Sequence, residues 1–117
     1  MRNPDSLRVS ALALELADGV YDLTSTFPPD ERFGLTAQMR RACVSVGSNI
    51  YEACGRETDK AFAACLAVAL SETMELRFQL TFAARRSWGT QARRDTVARH
   101  LGEMTRMLSS LIKRNRD

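Results

Sequence analysis

The chain has little of the side-chain chemistry that catalysis and metal binding require. Its 117 residues include one histidine, His100, and three cysteines that form no CxxC pair. A phosphate-binding loop, a GxSxG elbow and an HExxH helix are also absent. Glu52, Glu72 and Glu75 would suit a di-iron bundle only with Glu-x-x-His pairs, which a single histidine cannot supply. We therefore expect no enzymatic activity, no metal, no cofactor and no small-molecule substrate.

Long apolar runs are missing as well. None approaches the roughly 20 residues of a membrane-spanning helix, and the first ten residues lack the apolar core of a signal peptide. The cysteines Cys43, Cys54 and Cys65 lie among apolar or small residues, as buried free thiols do in a reducing compartment. The sequence thus predicts a cytoplasmic protein without membrane association, folded as one domain over residues 1–117.

Helical periodicity is present in four segments, whereas the alternation typical of strands is nowhere sustained. We expect Asp5 or Ser6 to cap the first helix and Pro28-Pro29 to stop it. The predicted core residues of this helix are Val9, Leu12, Leu16, Val20, Leu23 and Phe27.

Capping and breaking residues delimit the other three helices. The second helix is predicted to start between Asp30 and Thr36 and to end at Gly55. The third is predicted to have Thr58 as its cap, to run through Ser87 and to end near Gly89. The fourth is predicted to have Thr90 as its cap. Short connections favour antiparallel neighbours. The predicted fold is therefore all-α, an antiparallel up-down-up-down four-helix bundle.

The third helix has two apolar stripes. One stripe suits the bundle core and consists of Phe62, Leu66, Ala69, Thr73, Leu76, Leu80 and Ala83. The second is Ala63, Ala67, Leu70, Met74, Phe78 and Phe82. Either both belong to one broad core face, or the second contacts another copy of the chain. On the latter hypothesis, the candidate subunit interface is Leu70, Met74, Phe78 and Phe82.

The second helix has a stripe of polar residues at helical spacing, namely Gln38, Arg41, Ser45, Ser48, Asn49 and Glu52. One interpretation is a solvated face with bonds to the third helix, such as Arg40 or Arg41 to Glu72 or Glu75. The other is a polar groove or a lumen formed between associated subunits.

Positive charge is concentrated in the C-terminal third. The net charge is +3, but nine basic residues oppose three acids from Arg85 onward. Such a region is compatible with binding RNA or DNA, and equally with a solvated charged surface. The only aromatic residue there is Trp88, so any binding should be salt-sensitive and discriminate poorly between sequences. The candidate nucleic-acid-binding residues are Arg85, Arg86, Arg93, Arg94, Arg99, Arg106 and Lys113.

The segment from Phe27 to Arg56 resembles the pattern FPxxERFGLTxQxRRAxxSxxSNIxEGxGR of the proteins encoded in 23S rRNA intervening sequences. Glu75-Leu76 and Gln79-Leu80 are similar to the ELxxQL of the same family, and the likeness extends over roughly residues 7–82. Tyr51 and Ala53 depart from the pattern. The resemblance implies an antiparallel four-helix bundle that assembles as a homopentameric ring.

The family's own role is unsettled, so the resemblance implies a fold more than an activity. The family is also similar in fold to the accessory subunits of diversity-generating retroelements. These subunits are basic barrels that bind a reverse transcriptase and nucleic acid. Two functional hypotheses follow. The chain is either a non-enzymatic homo-oligomer that binds RNA or DNA through its basic third, or a protein-interaction scaffold or accessory subunit that does not bind nucleic acid directly.

Overall fold

The computed structural model describes residues 1–117 and contains four α-helices and no strands. Two short 3-10 turns, Pro4–Ser6 and Pro29–Glu31, precede the first and second helices. The helices are α1 (Arg8–Thr24), α2 (Leu35–Cys54), α3 (Asp59–Arg85) and α4 (Gln91–Asn115).

Helix starts agree with the capping residues in two cases and differ in a third. The hydroxyls of Thr58 and Thr90 accept hydrogen bonds from backbone amides of α3 and α4, as predicted. The prediction of an Asp5 or Ser6 cap for α1 was wrong. Both residues belong to the preceding 3-10 turn, and Leu7 occupies the N-cap position without a side-chain hydrogen bond.

The end of α3 also differs from the prediction by two residues. The helix stops at Arg85, because Ser87 has a φ of 58° and Gly89 a φ of 75°. A backbone in this left-handed region cannot continue an α-helix. The α2 bounds agree with the sequence, since the helix starts at Leu35 and Gly55 is its C-cap.

The core forms one cluster of 25 buried residues drawn from all four helices. Every predicted core position of α1 and α3 is buried, whereas Leu35 of α2 and Leu111 of α4 are only partly buried. All three cysteines are buried and free, and burial raises the pKa of Cys43 to about 11. The apolar stripes therefore meet in a single continuous interior.

Each helix packs against two others. α1 packs on α2 and α4, and α3 packs on the same two helices from the other side. At one end of the molecule, Arg2 donates to Asp59 at the start of α3 and to Asn115 at the end of α4 (2.7 and 3.1 Å). At the other end, the ring of Phe27 lies 6.0 Å from that of Trp88. The elongated molecule measures 44 × 22 × 20 Å, and none of its helices has the length and apolarity to cross a membrane.

Candidate functional surfaces

The second apolar stripe of α3 is largely exposed. Met74, Phe78 and Phe82 are 47, 72 and 41% exposed, whereas Leu70 is partly buried against the core. The edge of Phe82 meets the Trp88 ring at 6.0 Å. α3 thus has one apolar face inside the molecule and another that is exposed around Met74 and Phe78.

A second exposed apolar surface, which was not predicted from the sequence, lies between α1 and α2. Leu14, Val44 and Tyr51 line a groove of about 510 Å³ and are 61, 49 and 40% exposed. Its floor is formed by small residues, among them Ala13 and Gly47, which let the two helices approach closely. Periodicity offered one signal, because Leu14 and Tyr21 are seven residues apart outside the core stripe of α1.

The polar stripe of α2 forms bonds both to α3 and within its own helix. The guanidinium of Arg41 donates to Glu75 of α3 at 3.0 Å, as one interpretation predicted, and lies 3.9 Å from Glu72. Asn49 donates to the carbonyl and hydroxyl oxygens of Ser45 at 2.8 and 3.2 Å. The remaining members, Gln38, Ser48 and Glu52, are exposed.

Arg40 behaves differently from its neighbour. Its guanidinium donates to the hydroxyl of Thr24 at 2.9 Å and stacks over the Tyr21 ring at 4.5 Å, so it joins α2 to α1. Neither Glu72 nor Glu75 receives a bond from it, and the predicted pairing to α3 falls to Arg41 alone.

Glu72, Glu75 and Gln79 form a polar cluster on α3, one helical turn apart. Gln79 is buried, and its amide nitrogen donates to Glu75 at 3.3 Å. Burial and the neighbouring Glu75 carboxylate raise the pKa of Glu72, while Arg41 opposes this effect. The two glutamates were named from the sequence, whereas Gln79 was not assigned to a site. Its signal was its position, four residues after Glu75 and next to Leu80 of the inner stripe.

Two candidate phosphate ligands in the basic third bind backbone carbonyls. Arg94 donates to the carbonyls of Trp88 and Gly89 at 2.8 and 2.7 Å, and Arg93 donates to that of Asp22 at 3.0 Å. These bonds hold the turn between α3 and α4 against the end of α1. Arg86 lies over the Trp88 ring at 5.5 Å.

The other candidate nucleic-acid-binding residues have no bonding partner within the chain. Arg85, Arg99, Arg106 and Lys113 are exposed and form no ion pair or side-chain hydrogen bond. Arg106 lines a groove of about 390 Å³ between the start of α1 and the end of α4, together with Arg8 and Arg114. Arg8 was not among the predicted residues, because its proximity to α4 depends on how the helices pack.

His100 is half-buried, and its Nδ1 atom has no hydrogen-bond partner. No group of three or more His, Cys, Asp or Glu side chains is placed to hold a metal ion.

A family model for 23S rRNA-intervening sequence proteins matches residues 5–110. The chain belongs to this family. The solved structures include a similar protein, described as a protein of unknown function from the S23 ribosomal protein family of Bacteroides thetaiotaomicron. It is 26% identical, superimposes with a TM-score of 0.81, and the match covers 90% of this chain and 98% of that one. No curated protein sequence matches this chain.

The residues that carried the resemblance have identifiable structural roles in this intervening-sequence protein. Glu31 accepts a hydrogen bond from the Leu35 amide at 3.1 Å and thereby fixes the start of α2. Arg41, Glu75 and Gln79 form the polar contact between α2 and α3. The motif therefore describes the contact between these two helices.

Proposed function

We propose that this chain is a non-enzymatic subunit that assembles with copies of itself into a ring-like homo-oligomer, and that the assembly binds RNA or DNA through exposed basic residues of α4. Within each subunit the helices run up-down-up-down. This topology is supported by Arg2, which joins the ends of α2 and α4 to the start of α3, and by the opposite cluster of Phe27 and Trp88.

The assembly is supported by the two exposed apolar surfaces. A cyclic ring is built from a heterologous contact, in which each subunit presents two different faces to its two neighbours. The outer face of α3, with Phe78 at its centre, and the α1–α2 groove, with Leu14 at its rim, are two such faces. The family resemblance implies five subunits, and the free thiols are suited to the reducing cytoplasm.

The single observation that carries nucleic-acid binding is the unpaired positive charge of α4. Arg99, Arg106 and Lys113 recur every seven residues and form no bond within the chain. An assembly would repeat this surface in every subunit, so that weak phosphate contacts add through multivalency. Since Arg93 and Arg94 bind carbonyls, the test belongs on the three residues of α4.

The experiment is fluorescence anisotropy with a labelled hairpin RNA and a labelled DNA duplex, at low and at physiological salt. The variant replaces Arg99, Arg106 and Lys113 with alanine. Loss of up to three phosphate contacts should weaken binding at least about tenfold and reduce the salt slope by roughly 2 to 3. The matched control replaces Arg32, Arg56 and Lys60, which are equally exposed and carry the same charge.

Equal losses in both triple variants would mean that net charge alone attracts the polyanion, and would refute a binding surface on α4. Absence of binding even at low salt would favour the second candidate function, a protein-interaction scaffold. The observation that favours this alternative is the α1–α2 groove, which combines exposed Leu14, Val44 and Tyr51 with small residues at its floor.

A further inference from the structure

A cavity of about 520 Å³ lies between the start of α2 and the second half of α3. Its wall combines acidic and amide side chains with apolar ones. The lining residues that matter here are Glu31, Gln38, Glu75, Gln79, Phe78 and Phe82.

Hydrogen-bond acceptors outnumber donors at this cavity. Gln79 is only 3% exposed, and its Nε2 is used on Glu75, so its Oε1 is a buried acceptor without a donor. Turning the amide over would place this oxygen against the Glu75 carboxylate. Buried polar atoms in native proteins are nearly always paired, and so Oε1 of Gln79 indicates a donor supplied from outside the chain.

Negative charge is likewise in excess. Arg41 is the only cation that pairs with Glu72 or Glu75, and Glu31 forms no ion pair. Beside the cavity, burial and then the Glu75 carboxylate raise the pKa of Glu72. The cavity therefore suits a group that brings both positive charge and several N–H donors.

Two aromatic rings indicate which kind of cationic group fits the cavity. Phe78 and Phe82 border the cavity with exposed surface. A guanidinium can stack its flat face on an aromatic ring while its N–H groups point in the plane toward carboxylate and amide oxygens. An ammonium group would match the charge but not this flat geometry.

We propose that this cavity binds an arginine side chain of a second copy of this chain. Charge complementarity selects this occupant, because 15 of the 17 basic residues are arginine and the C-terminal third is strongly positive. Arg85, Arg114 and Arg116 are exposed there without partners. The proposal rests on the self-association proposed above and identifies a polar contact that would fix its register beside the apolar face around Phe78.

The experiment is sedimentation velocity over a range of protein concentrations, with the wild-type chain and the variants Glu31→Gln and Glu75→Gln. Both variants remove negative charge while keeping an oxygen for the Leu35 amide or for Arg41. Each should raise the self-association constant, expressed as Kd, about tenfold, the usual effect of losing one charge-assisted hydrogen bond. Glu15→Gln, on an exposed part of α1 without an ion pair, is the matched control and should leave Kd unchanged.

Competition with a small probe supplies a second readout. Methylguanidinium chloride should dissociate the wild-type assembly at concentrations at which sodium chloride and methylammonium chloride do not. An assembly unaffected by the two variants, or equally sensitive to all three salts, overturns the arginine site and leaves the proposed self-association intact. A wild-type chain that is monomeric at every concentration overturns both.

Discussion

Arg94 illustrates why a count of charges overstates the surface that a polyanion can reach. Its guanidinium is half-buried and binds the carbonyls of Trp88 and Gly89. The sequence indicated Arg94 as a candidate nucleic-acid-binding residue of the basic C-terminal third. It could not indicate the acceptors, because they are carbonyls presented by a turn in which Ser87 and Gly89 have positive φ. Side chains that serve such a turn are recognisable only once its backbone path is known.

The first prediction concerns stability at this residue. Arg94→Ala leaves two carbonyls without their donor and should lower the free energy of unfolding by about 1–3 kcal/mol, measured by urea denaturation followed by circular dichroism. Arg99→Ala removes the same charge from an exposed, unpartnered site and should change it by less than about 0.5 kcal/mol. Equal effects of the two substitutions would show that the carbonyl contacts do not stabilise the turn.

At the scale of the helix, periodicity identified which residues share a face but not what covers that face. The inner stripe of α3 is buried, whereas the second stripe is exposed at Met74, Phe78 and Phe82 and buried at Ala63. The polar stripe of α2 was also recognised. Its partners were foreseen for Arg41 but not for Arg40, which bonds to Thr24. The side to which an arginine turns depends on the packing of α1 against α2, and helical spacing does not specify that packing.

A second prediction concerns the α2–α3 contact and pH. The pKa of Glu72 is raised above 4.5, so the folded chain holds this proton more strongly than the unfolded chain does. The wild type should therefore lose stability as pH rises from 4.5 through the raised pKa. Glu72→Gln cannot ionise, and its stability relative to wild type should increase over that range.

The measurement is the urea midpoint of unfolding at a series of pH values between 4 and 8, with Glu15→Gln as control. Parallel pH profiles for wild type and Glu72→Gln would contradict the sign derived for Glu72. A urea midpoint that falls more steeply with rising pH in Glu72→Gln than in the wild type would also contradict this sign.

For the whole molecule, four helices, their core stripes and two of their caps were predictable from the sequence, and the family match agrees with that outcome. The surfaces between helices were less accessible to sequence reasoning. The α1–α2 groove combines residues about thirty positions apart, such as Leu14 and Val44, whose proximity is set by tertiary packing. The quaternary arrangement is harder still to predict from the sequence, since it depends on complementarity between such surfaces.

The third prediction tests whether two different faces build the assembly. Phe78→Glu and Leu14→Glu each place a charge on one exposed apolar surface, and each should reduce the mass measured by multi-angle light scattering while helicity is retained. Ala11→Glu, at another exposed position of α1, should leave the mass unchanged.

Mixing the two impaired variants is the stricter test. Each retains the face that the other has lost, so a heterologous contact should yield a heterodimer that cannot grow further. Failure of the mixture to associate would exclude a ring built from these two faces. A variant that loses its helical signal would instead assign its side chain to the folded core.

The reactivity of the three buried thiols can report how often the folded chain opens. Cys43 and Cys54 of α2 and Cys65 of α3 are 0, 1 and 8% exposed, and burial raises the pKa of Cys43 to about 11. An alkylating reagent can therefore modify them only in chains that have transiently opened. The labelling rate of each cysteine would report how often its own region of the bundle is exposed, without any added probe. Oxidising conditions would join opened chains through disulfide bonds between these thiols. Chains joined in this way could not refold around their core.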